Sequence, residues 1–272
     1  MKDIQSLLND EDATGLAEWV RRGEVQPIDL LEAVIERIEH VEPQLNAVAE
    51  RLYDSARSAR WTLQKAKRFR RRPTLIKDLF TPVHGARMSN GSLAMGEFRA
   101  PFEAEVVSRL RRAGCVLAAT TTSPEFGTSY STESTRFGAT RNPWNLEHSA
   151  GGSSGGAAAL VAARVVPFAH GNDGGGSLRV PASCCGVFGF KPSRGLMPSG
   201  PMVGEGWAGL GTAHAITLTV RDSAALLDAT AGMDLGAPYA GPVQSLSYVS
   251  AAQRDPGTLR IALIEQSGTW PT

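Results

Sequence analysis

Apolar residues recur at one-, three- and four-residue steps through Leu30, Leu31, Val34, Ile35, Ile38 and Val41, a stripe that predicts an amphipathic helix. Pro27 stands where a first-turn proline fits, because its missing N–H is not needed there, and Pro43 predicts the helix end. A second helical pattern is expected from about Ala47 to Lys67. Thr74 to Phe80 is a short, apolar, β-compatible run with Lys77 near its middle. Glu105 to Ala113 predicts a helix with Val106, Val107 and Leu110 on one side; Gly114 ends it, and Cys115 to Ala119 predicts a buried strand. Further on, the pattern predicts a helix over Ala157–Ala163, a strand over Val165–Ala169, a helix over Ser223–Ala231 and a strand over Leu259–Ile264. Helices alternating with short apolar strands point to an α/β domain.

Composition narrows the function classes. The chain has 272 residues, 42% of them hydrophobic and 20% charged, enough apolar material for a sizeable core. Lys plus Arg outnumber Asp plus Glu by one, so charge gives no case for a nucleic-acid or membrane-surface partner. One local exception is the basic run Lys65, Lys67, Arg68, Arg70, Arg71 and Arg72, read as a solvated helix end and loop rather than a polyanion site. The three cysteines, Cys115, Cys184 and Cys185, form no disulfide framework or zinc spacing, and the adjacent pair reads as small core residues. The sequence shows no apolar signal segment and no run of roughly 18 apolar residues, so the expected location is cytoplasmic.

Candidate chemistry lies in one glycine-rich block. Between Gly151 and Gly211 stand 16 of the 29 glycines, and two serines sit in glycine nests: Gly151-Gly152-Ser153-Ser154-Gly155-Gly156 and Asp173-Gly174-Gly175-Gly176-Ser177. Such nests uncover a hydroxyl and let backbone N–H groups converge where an oxyanion develops. A serine needs a base to take its proton. His40, His84, His148, His170 and His214 lie in no motif with a carboxylate, although sequence does not exclude a spatial pairing. Lys77 is the alternative: it interrupts an apolar run, so burial should disfavour its ammonium form. Gly151-x-Ser153-x-Gly155 also fits the nucleophile elbow of an α/β-hydrolase, but the preceding Asn145–Ala150 is too polar for the buried strand an elbow needs. No lysine follows Gly156, so the block is not a phosphate-binding P-loop.

Four segments in order resemble the amidase signature family: Leu75-Ile76-Lys77-Asp78, the Gly151–Gly156 nest, Gly171-Asn172-Asp173-Gly174-Gly175-Gly176-Ser177-Leu178-Arg179-Val180-Pro181, and Cys185-Gly186-Val187-Phe188-Gly189-Phe190-Lys191-Pro192. Ser153 and Ser177 stand 24 positions apart, as the two active serines of that family do. The resemblance runs to about Ile264. It implies an α/β fold with a mixed central β-sheet flanked by helices. It also implies carboxamide hydrolysis without metal or cofactor. Ser177 would be the nucleophile, Ser153 the bridging serine after a cis peptide bond, and Lys77 the base. Gly174, Gly175 and Gly176 would form the oxyanion hole, and Asp173 and Arg179 would brace the loop.

Finer similarity in Arg141–Asn145, His170–Asp173 and Val220–Ala229 is to a branch that cleaves amides of short aliphatic amino acids, linear or cyclic. Two local departures, Arg71-Arg72-Pro73-Thr74 before the lysine and Thr120-Thr121-Thr122 before Ser123, bear on loop geometry more than on chemistry. The resemblance makes residues 1–70 an N-terminal helical region and 71–272 a partial catalytic core, together one domain. Family members are markedly longer, so the fold is expected to be incomplete at the C-terminus: a truncated product or half of a split enzyme. A small-molecule amide is the expected partner, beside either a homo-oligomer or a complementing C-terminal chain. An inactive remnant and an A-type amidotransferase subunit remain the alternatives.

Overall fold

The computed structural model describes residues 3–59, 69, 72–242 and 245–263. Three helices open it, α1 (Ile4–Asp10), α2 (Ala13–Arg21) and α3 (Pro27–Leu45). In α3, Pro27 takes the first position and Leu30, Leu31, Val34, Ile35 and Ile38 are buried, as their spacing predicts. Pro43 does not end the helix, which continues to Leu45 and closes on Asn46 in the left-handed region. A proline this near the C-terminus forfeits one backbone hydrogen bond, and the buried Leu45 holds the last turn in place.

The helical pattern expected from Ala47 is overturned at its start. Residues 48–51 form strand β1 (Val48–Arg51), and only α4 (Tyr53–Ser58) is helical; residues 60–67 lie outside the described residues. The Glu42 carboxylate accepts from the Ala47 and Val48 N–H groups, which turns the chain out of helix and into β1. Of the basic run, Lys65, Lys67, Arg68, Arg70 and Arg71 also lie outside the described residues. Arg72 is buried rather than solvated, and its guanidinium donates to the Leu16 carbonyl.

Strand β2 (Arg72–Lys77) pairs in parallel with β3 (Cys115–Thr121), and β1 pairs antiparallel with β3 on the other side. Helix α5 (Glu105–Arg112) precedes β3. After β3 come two small hairpins, β4 (Glu133–Ser134) with β5 (Gly138–Ala139) and β6 (Arg141–Asn142) with β7 (Asn145–Ser149). Then follow α6 (Gly155–Ala162), β8 (Phe168–Asp173), α7 (Arg179–Cys185), β9 (Phe188–Gly189), β10 (Thr212–Thr217), α8 (Val220–Thr230) and α9 (Tyr248–Ala252). β10 lies between β8 and β9, antiparallel to both. β8 runs beside β2, where Thr74 Oγ1 donates to Phe168 O at 3.2 Å.

Successive strand residues feed opposite cores, the period-2 consequence of a sheet covered on both faces. Leu75, Val116, Ala118, Ala169 and Ile216 pack with α1, α2, α3 and α6. Ile76, Leu117, Phe168 and Ala215 pack with α5 and α8. Each fully buried Leu or Ile contributes about 1.5–3 kcal/mol. The result is an α/β fold with mixed strands between helices.

Helix α6 is buried from Gly155 to Val161 and packs against β8 and α7. A Cβ on Gly156 would sit 2.6 Å from the Ala47 carbonyl oxygen, so only glycine lets the helix approach this backbone. The strand predicted over Val165–Ala169 begins at Phe168 and runs on to Asp173, because Phe168 to Asp173 find partners along β10. The strand predicted over Leu259–Ile264 is absent at 259–263, and Leu259, Ile261 and Leu263 are exposed. Their alternation has no sheet among the described residues to pair with; Ile264 lies outside them. Cys115 and Cys185 are buried, but Cys184, expected in the core, is exposed on α7.

Candidate active site

Lys77 closes β2 and is completely buried. Its Nζ reaches Ser153 Oγ at 2.7 Å and Asn172 Oδ1 at 2.7 Å. Burial drives the Lys77 amine well below its ordinary range, and the Asp173 charge opposes this only in part. Lys77 and Ser153, both singled out in the sequence, thus lie within hydrogen-bond reach of each other, with burial disfavouring the ammonium form.

Ser153 belongs to the tight loop that leads into α6, and the Gly152–Ser153 peptide bond is cis. A Cβ on Gly152 would fall 2.6 Å from the Ser131 carbonyl oxygen, so the loop needs glycine before Ser153. The next residue straps this loop to the second serine nest: Ser154 N donates to Ser177 O at 3.2 Å, and Ser154 Oγ to Asn172 O at 3.3 Å. Ser177 ends that nest just before α7. It is 8% exposed, against 1% for Ser153 and none for Lys77, so access to solvent increases from the lysine to Ser177.

Asp173 organises the turn between β8 and α7. Its carboxylate accepts from Gly176 N at 2.8 Å, from Leu178 N at 3.1 Å, and from Arg179 Nε and Nη2 at 2.9 Å each. Burial works to raise the Asp173 carboxyl, but the Arg179 guanidinium and the two N–H groups outweigh it and hold it below the usual range. Hydrogen bonding to Asp173 raises Arg179 in turn. Of the three predicted oxyanion glycines, Gly176 has its N–H engaged by Asp173. The N–H groups of Gly174, Gly175 and Ser177 make no hydrogen bond to another described residue.

Two aromatic side chains flank this turn. Tyr130 Oη donates to Gly175 O at 3.1 Å, and the Trp207 ring lies over Gly174, where a Cβ would come within 2.6 Å of it. Both rings are more than half exposed. Neither has a sequence signal, because each reaches the nest from a loop remote in the chain. Asn172 was visible only as part of a motif, without a role.

The histidines stand apart from the serines. His170 and His214 are buried and pushed down to about 3, chiefly by burial. Among the described residues, the hydrogen bond between a histidine ring and a serine is His214 Nε2 to Ser223 Oγ at 2.8 Å, remote in sequence from both nests. The strand β7 before the first nest is an exposed hairpin arm, unlike the buried strand of a nucleophile elbow. Among the described residues no cluster of three or more His, Cys, Asp or Glu side chains is placed to hold a metal, and no helix is long and apolar enough to cross a membrane.

The buried histidines predict a pH-dependent stability. A histidine held neutral in the folded state contributes fully above its unfolded value near 6.5. That contribution is lost as pH falls from there towards 3, because the unfolded chain takes protons that the folded chain refuses. Each costs about 1.4 kcal/mol per pH unit across that window. Urea unfolding at a series of pH values should show stability falling below pH 6.5, with a shallower slope in His170→Leu. An unaltered slope in that variant rejects the assignment.

The amidase family model matches residues 29–272. The chain belongs to the amidase family. It is 43% identical over 258 residues to a 6-aminohexanoate-cyclic-dimer hydrolase of Pseudomonas sp. (strain NK87), a match covering 93% of this chain and 52% of that protein. A solved structure of 6-aminohexanoate cyclic dimer hydrolase superposes with a TM-score of 0.87 at 41% identity, covering 96% of this chain and 53% of that one. The A-type component of the glutamyl-tRNA(Gln) amidotransferase of Thermotoga maritima follows at a TM-score of 0.71 and 31% identity, over 91% of this chain and 51% of that one. The chain spans about half the length of the amidases it matches.

Proposed function

We propose that this chain is an amidase that hydrolyses a carboxamide through an acyl-enzyme on Ser177. The observation that supports it most is the buried Lys77 amine held 2.7 Å from Ser153 Oγ. The loop bearing Ser153 is strapped in turn to the backbone of Ser177. In the proposed reaction Ser177 Oγ attacks the carbonyl carbon and gives its proton to Ser153. Ser153 passes its own proton to the Lys77 amine, which becomes an ammonium. Backbone N–H groups of the Gly174–Ser177 turn stabilise the oxyanion. Gly176, bound to Asp173, orders that turn, and Arg179 braces it. Collapse of the intermediate breaks the C–N bond, and the leaving amine takes a proton back along Ser153 from Lys77. Water then attacks the acyl carbon while the same relay carries its proton to Lys77; the ester C–O bond breaks, the carboxylic acid leaves, and the proton returns through Ser153 to Ser177 Oγ.

For the substrate we propose a short aliphatic amide, linear or cyclic, on the strength of the similarity to the 6-aminohexanoate-cyclic-dimer hydrolases. The weaker match to the amidotransferase component gives that alternative less support. The test is acyl transfer to hydroxylamine. Purified chain incubated with 6-aminohexanoate cyclic dimer and with simple aliphatic carboxamides should release amine and form the hydroxamate, which only an acyl-enzyme route delivers efficiently. No hydroxamate and no amine release across that panel would reject the reading.

A further inference from the structure

Asn172 makes two contacts that no catalytic role accounts for. Its Oδ1 lies 2.7 Å from Lys77 Nζ, and its Nδ2 donates to the Leu79 carbonyl at 2.8 Å. Leu79 O can only accept, so the amide NH₂ must face it and the amide oxygen must face the lysine. A flipped amide would set oxygen against oxygen and N–H against N–H. The side chain is therefore a clamp of fixed polarity between the end of β2 and the end of β8.

That polarity matters for a neutral amine, which has two N–H bonds and one lone pair. Asn172 Oδ1 has no proton to give, so it takes an N–H. We propose that Asn172 is a positioning residue for Lys77: it holds one N–H of the amine and thereby turns the nitrogen lone pair towards Ser153 Oγ. This inference rests on the Ser177–Ser153–Lys77 reading and deepens it. When the Ser153 proton arrives, the Lys77 ammonium forms, and Asn172 Oδ1 keeps its hydrogen bond without adding a charge. A carboxylate in its place would favour the ammonium and make the free base available only at higher pH.

The other groups around the amine allow this logic. From β8, Asp173 attracts the ammonium, but its carboxylate is shared with Arg179 and backbone N–H groups, and His170 is held neutral by burial. Just after β2 the Asp78 carboxylate is turned to the Ser89 N–H and hydroxyl. Strand β3 offers Thr120 and Thr121 there, and the 151–154 loop offers only glycines and serines. Among the described residues, Asn172 and Ser153 are the groups that hydrogen-bond the amine.

The experiment compares Asn172→Leu, Asn172→Asp and Asn172→Ser by two readouts. One is the pH profile of fluorophosphonate labelling at Ser177. The other is the titration of Lys77, read by NMR on chain labelled with ¹³C at lysine Cε. The lysines are Lys2, Lys65, Lys67, Lys77 and Lys191, and loss of one signal in Lys77→Met assigns the buried one. Asn172→Asp is expected to raise the Lys77 midpoint by about one to three pH units, carrying the acid limb of labelling with it. Asn172→Leu, near in volume, should slow labelling roughly 10- to 100-fold, and Asn172→Ser, which restores an oxygen acceptor, should recover part of the loss.

Thermal unfolding confirms that each variant is folded, and a folded Asn172→Leu suffices if Asn172→Asp is not. Labelling within twofold of wild type in Asn172→Leu, or an unmoved Lys77 midpoint in Asn172→Asp, overturns the proposal. If wild type is not labelled, or Ser177→Ala is labelled equally, the catalytic reading fails instead. The NMR titration then still decides whether Asn172 controls the amine.

Discussion

Ser177→Ala should abolish covalent labelling by a fluorophosphonate and lower amide turnover by about 10⁴-fold or more. The effect is expected to be nearly complete because neither of the other two serine hydroxyls of the nests can take over. Ser153 is 1% exposed and its oxygen is engaged with Lys77 Nζ. Ser154 is fully buried and its hydroxyl donates to Asn172 O. Ser177 is the serine of the three with an opening to solvent, and it adjoins the turn whose Gly174 and Gly175 N–H groups are unengaged by the described residues. The fold should survive the change. The contact Ser177 makes with the first nest is through its backbone carbonyl, which alanine retains. A thermal midpoint within a few degrees of wild type, together with lost labelling, would separate chemistry from folding. Undiminished labelling of Ser177→Ala, or a mass shift mapped to another serine, would sink the assignment of the nucleophile.

How far this site could be read from the chain depends on what each feature rests on. Lys77 was legible because a lone cation within Leu75-Ile76-Lys77 must either break the strand or be buried in it, and the strand is intact. The two nests were legible because glycine density marks places where backbone approaches backbone, and Gly152 and Gly156 are such places. Helices α3, α5 and α8 followed from apolar spacing, since one face of each packs against the sheet. Local pattern failed where tertiary partners decide. β1 exists because β3 supplies its hydrogen bonds, although its own residues also suit a helix. Pro43 was overruled by the burial of Leu45. Leu259, Ile261 and Leu263 alternate as a strand does but have no strand beside them among the described residues. Asn172, Tyr130 and Trp207 meet the site through contacts that span loops, which no local pattern encodes.

Lys77→Met should lower the rate of Ser177 labelling by about 10²- to 10⁴-fold and remove its acid limb. Methionine is chosen because Lys77 fills completely buried space, and a thioether of similar length keeps that space occupied while deleting the base. The sign of the pH effect follows from the direction of the shift. Burial favours the neutral amine, so its midpoint in the folded chain lies well below 10.5. Above that midpoint the lone pair is available and Ser153 can pass on its proton. Below it the ammonium donates to Ser153 instead, the relay has no acceptor, and labelling falls tenfold per pH unit. The Asp173 charge pulls the other way, but that carboxylate is already engaged by Arg179 and two backbone N–H groups, so desolvation of the lysine prevails. Arg179→Ala should accordingly move the acid limb upwards, because Asp173 then acts on Lys77 without its counter-ion. Labelling by Lys77→Met that still falls on the acid side as wild type does would assign that limb to another group and remove Lys77 as the base.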